Sequence, residues 1–165
     1  MKTLYLLRHA KSSWDSQAME DFDRPLNERG YADAHLTGKY LHAKKIKVDR
    51  VISSPAVRAL STAVIISRHL EFPADNILIR QQLYDSAVKD YLNCIAGIEK
   101  EDSILLTGHN NTISEVAQKL SIQRVNELKT CAIVCIRFAF NSWADIMVSK
   151  GDLLFEIHPS LIKNV

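Results

Sequence analysis

The sequence predicts an α/β fold, a three-layer α/β/α sandwich around a mostly parallel sheet. Short apolar runs without helical period alternate with amphipathic segments over most of the 165 residues. This alternation is typical of parallel strands that are covered by helices on both faces. No internal repeat, linker or low-complexity segment interrupts it. We therefore expect residues 1–165 to form one domain.

The N-terminal part is expected to contain a strand, a long loop and a helix. Lys2–Leu7 is a short apolar run without helical period, which predicts an interior strand. A polar loop follows from Lys11 to Pro25. Asn27 can cap the next helix, which we expect to extend to about Ala43 because apolar residues recur there at helical spacing.

The middle of the chain repeats this alternation. Val48–Ile52 is the second expected strand. Pro55 suits the first turn of a helix that we expect to run to about Leu70, with Ser54 as its N-cap. The elements expected next are the strand Ile77–Ile79, the helix Ser86–Ile98, the strand Ser103–Thr107, and a helix that is capped by Asn111 or Thr112 and ends at Leu120.

The C-terminal part is predicted to be β-structure. Thr130–Phe140 is rich in β-branched and aromatic residues. Trp143–Ser149 and Leu153–Ile157 flank the turn signal Lys150-Gly151-Asp152. We therefore expect these two segments to form a terminal pair of strands.

Composition and charge argue against several classes of protein. The formal net charge is +2 and no long basic block is present, so we expect no nucleic-acid partner. The first apolar run stops at Arg8, too early for a signal peptide, and no stretch is long enough to span a bilayer, so no membrane partner is expected. Three cysteines without CxxC spacing suit a reducing cytoplasm. Cys131 and Cys135 should lie on one face of a buried strand, as core residues rather than metal ligands.

The most informative pattern is a set of basic residues at the exits of three expected strands. Arg8 and His9 follow the first strand, Arg58 lies near the start of the helix after the second, and His109 follows the fourth. The carboxyl ends of neighbouring strands in an open α/β sheet share one crevice. Arginine offers a planar fork of donors to phosphate oxygens, and a neutral histidine can be a nitrogen nucleophile. The pattern therefore predicts that these four residues hold and attack a phosphoryl group through a phosphohistidine intermediate.

Each of these signals alone has an ordinary explanation. An Arg-His pair is common, an arginine in a helix usually has a solvated head, and a histidine at a helix N-terminus can belong to the capping region. Their coincidence at three strand exits favours the functional interpretation. The remaining histidines, His35, His42, His69 and His158, are expected to have no catalytic role.

Four segments, taken in order, resemble the motifs of the histidine phosphatase superfamily, whose members are phosphoglycerate-mutase-like. The segments are Arg8–Trp14, Asp23–Leu26 with Gly30, Ser53–Ala59 with Thr62 and Ala63, and Gly108–Asn110. The Arg-His-Ala-Lys-Ser opening and the short C-terminal part are most similar to the phosphohistidine phosphatase branch known as SixA. The likeness extends from Leu4 to about Pro159 and is more specific for the superfamily than for a substrate.

The resemblance implies a role for each matched residue. The catalytic residues would be the nucleophile His9, the phosphate clamp Arg8 and Arg58, and the second pocket histidine His109. It also implies Ser12 and Asn110 as substrate-binding residues. No cofactor is expected, and no metal, because the arginines can neutralise the charge that a cation neutralises in other phosphatases.

The chain departs from the superfamily at the general acid. Many members place a glutamate after a leucine in the middle of the chain, whereas this chain has Leu83-Tyr84-Asp85. Asp85 is a candidate general acid, and the alternative is an aspartate at the start of the helix near Ser86. No large insertion that could form a cap lies between Arg58 and His109, so the pocket should be open and shallow.

The expected function is that of a metal-independent phosphatase acting on phosphohistidine in a phosphorylated protein. An imidazole leaving group departs readily once its ring is protonated, so a dedicated glutamate is less necessary than for an alkyl ester. One alternative is a phosphomonoesterase that acts on a small phosphate ester by the same chemistry. An alternative of another class is a non-catalytic phosphoprotein-binding module, although binding alone would not need the nucleophile.

Overall fold

A computed structural model describes residues 1–14 and 19–164. Its centre is a six-stranded sheet with the strand order β3-β2-β4-β1-β5-β6. The strands are β1 Lys2–Arg8, β2 Arg50–Ser53, β3 Leu78–Ile79, β4 Ser103–Gly108, β5 Ile133–Phe138 and β6 Asp152–Ile157. Strands β1 to β4 pair in parallel, while β5 is antiparallel to both β1 and β6. The predicted mostly parallel sheet is confirmed.

Five α-helices flank this sheet within the described residues. They are α1 Glu28–Ala43, α2 Val57–His69, α3 Val88–Ala96, α4 Thr112–Leu120 and α5 Pro159–Lys163. Helix α1 begins as predicted, because the Asn27 side chain accepts a hydrogen bond of 2.8 Å from the Gly30 amide. The predicted loop before it contains a 3-10 turn at Asp21–Asp23, and its residues 15–18 lie outside the described residues.

The alternation of side chains along the strands places one core on each face of the sheet. Leu4 and Leu6 of β1 point into a cluster with α3 and α4. Tyr5 and Leu7 point to the opposite face, where they pack with α1 and α2. Because successive side chains of a strand face opposite sides, a strand covered on both faces needs a continuous apolar run. These two cores form the three layers that the sequence predicts.

Two predicted elements are wrong. Ser54 is not the N-cap of α2, which begins at Val57, and Pro55 therefore precedes the helix. Trp143–Ser149 is not a strand, because Trp143–Met147 forms a 3-10 helix in which Trp143 and Ile146 are buried. A spacing of three residues brings both side chains to one side of a 3-10 helix, whereas a strand would turn them to opposite faces. Among the described residues, strand β6 consequently pairs with no strand other than β5.

The three cysteines are free and buried. Cys131 precedes β5 rather than lying in it, but it packs in the same core as Cys135. Burial raises the pKa of Cys131 to about 12 and that of Cys135 to about 11. In the described part of the chain, no group of three or more histidine, cysteine, aspartate or glutamate residues is arranged to hold a metal ion. No helix among residues 1–14 and 19–164 is long and apolar enough to cross a membrane.

Candidate active site

The basic residues that follow the strands lie at the ends of three neighbouring strands, β2, β4 and β1. Backbone hydrogen bonds extend the ladder beyond the strand ends, from the His9 amide to the Gly108 carbonyl at 3.1 Å and from the Ser54 amide to the Thr107 carbonyl at 3.1 Å. The exits are thereby held side by side. The ring centroids of His9 and His109 are 5.2 Å apart.

His9 is buried, with 8% of its surface exposed. Its Nδ1 lies 2.7 Å from the carbonyl oxygen of Ala10. Since a carbonyl oxygen can only accept, Nδ1 carries the proton and Nε2 keeps its lone pair. Burial and the neighbouring His109, Arg58 and Arg8 lower the pKa of His9 to about 3, although the bond to Ala10 acts in the opposite direction. The imidazole is therefore neutral at pH 7, as a nucleophile requires.

Arg58 lies in the first turn of α2 and is only 5% exposed. Its Nη1 donates to the main-chain oxygen of Asp21 at 2.6 Å, and its Nη2 donates to Asp21 Oδ2 at 3.0 Å. Its buried Nε has no hydrogen-bond partner among the described residues. Asp21 thus binds both terminal nitrogens of the guanidinium and leaves the N–H group of Nε available.

Arg8 is held in a similar way. Its Nη1 donates to the main-chain oxygen of Leu128 at 2.8 Å. Its Nε is buried and, within the described part of the chain, has no partner. Buried N–H groups are nearly always hydrogen-bonded in proteins, so two such donors near the imidazole of His9 are typical of a site for an anion.

His109 is fixed through its ring and its backbone. Its Nε2 lies 2.7 Å from Ser54 Oγ, and its amide donates to the Tyr91 hydroxyl at 3.0 Å. Its Nδ1 is buried and lacks a partner in residues 1–14 and 19–164. Burial and Arg58 lower the pKa of His109 to about 4, against a smaller opposing effect of Asp21. A second neutral imidazole therefore faces His9.

Gly108 ends strand β4 and lies against the side chain of Tyr91. It does not have a positive φ. A Cβ atom at Gly108 would lie 2.3 Å from the Tyr91 hydroxyl, the group that accepts from the His109 amide. The glycine makes room for this tyrosine.

Thr62 links two segments of the candidate site, a role not predicted from its position in the sequence. Its Oγ1 donates to the Arg58 carbonyl at 2.7 Å and accepts from the Ala10 amide at 3.0 Å. It thus joins helix α2 to the segment after His9. The signal was present, because Thr62 follows Arg58 by one helical turn within a motif that resembles the superfamily.

A cavity of about 340 Å³ lies at this end of the sheet. Its lining residues are Asp21, Arg58, Tyr84, Asp85, His109 and Asn110. Asp85 is exposed, so the candidate general acid lies at the cavity rim. It does not start helix α3, whose N-terminus is capped by Asp90 through a 2.8 Å bond from the Ala87 amide.

The two predicted substrate-binding residues have different surroundings. Asn110 lines the cavity, and its Nδ2 donates to the Leu128 carbonyl at 3.1 Å, so it also supports the carbonyl that Arg8 binds. Ser12 is buried and its backbone pairs with Leu26. The role of Ser12 as a phosphate donor stays a prediction.

Asp21 and Tyr84 are site residues that the sequence reasoning missed. The Tyr84 hydroxyl donates to Asp21 Oδ2 at 2.7 Å, and Arg24 Nε donates to Asp21 Oδ1 at 3.1 Å. Although burial alone would raise it, the pKa of Asp21 is lowered by the hydrogen bonds from Tyr84 and Arg58. Asp21 is one of several acidic residues in a polar loop, and nothing in its spacing indicates that it contacts Arg58 of helix α2.

This geometry agrees with the comparisons with known proteins. Residues 4–85 match the model of the histidine phosphatase superfamily, branch 1. An uncharacterized chloroplastic protein of Arabidopsis thaliana is 31% identical over 159 residues, covering 91% of this chain and 72% of the relative. The chain belongs to the histidine phosphatase superfamily.

Within that superfamily the fold is that of the SixA proteins. A structure of SixA from Agrobacterium tumefaciens superimposes with a TM-score of 0.81 at 24% identity and covers 96% of this chain and 98% of that one. A protein histidine phosphatase SixA complexed with tungstate gives a TM-score of 0.83 at 19% identity, covering 97% and 99% of the two chains. The family and the fold together define the class of this protein as a phosphatase.

Proposed function

We propose that this protein is a metal-independent phosphatase that transfers a phosphoryl group to His9 and prefers phosphohistidine in a protein as its substrate. The observation that carries the proposal is the set of unpartnered nitrogens around a neutral imidazole. Arg8 Nε, Arg58 Nε and His109 Nδ1 are all buried and without a partner among the described residues. A phosphoryl group needs fixed donors, such as the N–H groups of the two arginines, as charge develops on its oxygens.

The reaction would take place in two displacements. The Nε2 lone pair of His9 attacks phosphorus, a P–N bond forms, and the bond from phosphorus to the substrate imidazole breaks while that imidazole takes up a proton. Water then attacks phosphorus, the P–Nε2 bond breaks, and inorganic phosphate leaves as one water proton is released. Arg8 and Arg58 would hold the phosphoryl oxygens through both steps.

The preference for a protein substrate is supported by the rim of the site. The Asp21 carboxylate has 49% of its side chain exposed, and Asp85 is exposed as well. The phosphoryl pocket therefore opens directly to the surface, where a residue presented by another protein can reach it. The SixA protein of similar fold is a protein histidine phosphatase, and it forms a complex with tungstate, a tetrahedral oxyanion.

The test of the nucleophile is the variant His9→Ala. Wild-type protein mixed with a labelled phosphohistidine protein and quenched in base should carry label on His9, and His9→Ala should carry none and lose turnover. His35→Ala is the matched control, since His35 lies on α1 and contacts His69 instead of the site. Label trapped on Ser12 or Cys94 would refute the assignment.

The test of the substrate is a comparison of kcat/KM values. A phosphohistidine protein, an aryl phosphate and a set of sugar phosphates should be turned over in that order of efficiency. A sugar phosphate with a much higher kcat/KM than any phosphohistidine protein would favour the small-molecule phosphomonoesterase. Binding of the phosphoprotein without any turnover would favour the binding module.

A further inference from the structure

One residue, Asp21, accepts hydrogen bonds from three side chains, of which Arg58 and Tyr84 also line the cavity. Asp21 Oδ2 accepts from Arg58 Nη2 at 3.0 Å and from the Tyr84 hydroxyl at 2.7 Å. Asp21 Oδ1 accepts from Arg24 Nε at 3.1 Å. The main-chain oxygen of Asp21 accepts from Arg58 Nη1 at 2.6 Å. Every oxygen of this residue is therefore used.

These contacts fix the direction of the Arg58 fork. Asp21 accepts from both terminal nitrogens of the Arg58 guanidinium. The N–H group of the buried Nε has no partner among the described residues. A long arginine side chain has many rotamers, and a charge-assisted pair of bonds at its end restricts them. The Tyr84 hydroxyl and Arg24 in turn hold the carboxylate.

We infer that Asp21 is a positioning residue that orients Arg58 so that its Nε edge meets the phosphoryl group. This inference rests on the proposed function, because it concerns how the same pocket binds its anion. Two other roles fit the contacts less well. An acid would have to be protonated, but the bonds from Tyr84 and Arg58 keep this carboxyl ionised. A carboxylate that competes with the phosphoryl group for Arg58 would bind the Nε of this arginine. Asp21 binds Nη1 and Nη2 instead.

The test compares Asp21→Asn with Asp23→Asn. An amide has one acceptor oxygen, so asparagine cannot accept from Arg24, Arg58 and Tyr84 as the two carboxylate oxygens do. Asp23 belongs to the same 3-10 turn and is exposed, so its variant removes an equal charge at a matched place. Calorimetry should measure the Kd of vanadate for each protein, and thermal melting should verify that each is folded.

Asp21→Asn should weaken vanadate binding and lower kcat/KM by about tenfold to a hundredfold, the usual range for a misdirected catalytic group. Asp23→Asn should stay within about twofold of wild type. Tyr84→Phe, which removes only the hydroxyl that holds Asp21, should change both values in the same direction by a smaller factor. In Asp21→Asn the His109 imidazole should also titrate at a lower pH, because the charge of Asp21 raises its pKa.

Three results would overturn the inference. Unchanged vanadate binding in folded Asp21→Asn would show that Arg58 is oriented without it. Tighter binding would show that Asp21 competes with the anion. A loss confined to aryl and alkyl esters would identify it as an acid. If wild type itself binds no vanadate, the proposed function fails, and the positioning role fails with it, whereas the first three results leave the proposed function intact.

Discussion

The imidazoles of His9 and His109 are neutral at pH 7 because burial and nearby arginines lower their pKa values. His9 and His109 lie within 5.2 Å of each other, and each is surrounded by arginines. A protonated ring would repel these guanidinium groups inside a poorly solvated pocket. The same effect that keeps His9 and His109 unprotonated destabilises the folded protein at low pH.

Acid should destabilise the protein through these two rings. Their pKa values fall to about 3 and about 4, from about 6.5 in the unfolded chain. Below about pH 6.5 the unfolded state therefore binds protons that the folded state does not. The free energy of unfolding should fall with decreasing pH by about 1.4 kcal/mol per pH unit for each histidine, until its folded pKa is reached.

Urea unfolding between about pH 5 and pH 7 checks this expectation. The variant His9→Gln should lose the share of the slope that His9 contributes, since glutamine does not titrate. Above about pH 6.5 the wild-type ring is neutral in both states, so the slopes of the two proteins should coincide there. Parallel curves over the whole range would contradict the lowered pKa.

How far sequence predicts single site residues depends on their position relative to a strand. Arg8, His9 and His109 follow predicted strands directly, and the shared direction of parallel strands brings them to one edge. Asp21 and Tyr84 lie in segments whose path depends on tertiary packing. Their contact at 2.7 Å joins residues 63 positions apart, and no local pattern encodes it.

At the scale of secondary-structure elements, strand β4 and helix α3 together fix the position of His109. The strand ends at Gly108, next to the Tyr91 side chain of α3, which in turn accepts from the His109 amide. Helix α3 thus supports the segment that carries His109, although it provides no group to the cavity lining. The spacing between this helix and the strand exit determines where His109 lies.

The substitution Gly108→Ala tests this spacing. The new methyl group would lie 2.3 Å from the Tyr91 hydroxyl, so either the tyrosine or the strand exit must shift. Overpacking of this kind costs about 1–3 kcal/mol of folding free energy, and the shift should lower kcat as well. Urea unfolding and turnover of an aryl phosphate measure the two effects.

Gly97→Ala is the control for that experiment. Gly97 is at the C-terminal end of α3, and a Cβ there would meet the Asn93 carbonyl at an ordinary 3.6 Å. Its effect on stability should stay within about 0.5–1 kcal/mol, with kcat unchanged. Equal losses in both variants would mean that Tyr91 does not restrict the strand exit.

At the level of elements, the sequence predicts what depends on periodicity and misses what depends on a single side chain. The strands and the start of α1 follow from apolar patterning and one capping asparagine. Serine is a common N-cap residue, but the hydroxyl of Ser54 lies 2.7 Å from His109 Nε2. Helix α2 begins three residues later, at Val57. A polar residue with two feasible partners cannot be assigned from its neighbours in sequence.

For the whole molecule, the strand order is the feature that assembles the site. Strand β4 lies between β1 and β2, so the segments that carry His9, His109 and Arg58 are adjacent in space. Along the chain, Arg58 follows His9 by 49 positions, and His109 follows Arg58 by 51. Helices cover both faces of the sheet. The carboxyl ends of the strands are therefore the place where an open α/β sheet binds its ligand.

Turnover should be independent of divalent cations. In the proposed mechanism, Arg8 and Arg58 provide the positive charge that a metal provides in other phosphatases. A chelator should leave kcat/KM unchanged, while vanadate, which can adopt five-coordinate geometry, should inhibit. Phosphatase assays with and without chelator, followed by addition of magnesium, measure this. Activity that disappears with chelator and returns with magnesium would contradict the expectation.

The burial of the three thiols has a consequence for oxidative conditions. Peroxide reacts with thiolates, and Cys94, Cys131 and Cys135 are buried with pKa values raised by that burial, so they stay protonated. Phosphatases that attack phosphorus with a cysteine lose activity when that thiolate becomes a sulfenic acid. An imidazole nucleophile has no such sulfur to lose. Dephosphorylation by this protein would therefore continue under hydrogen peroxide exposure that silences thiolate-dependent enzymes.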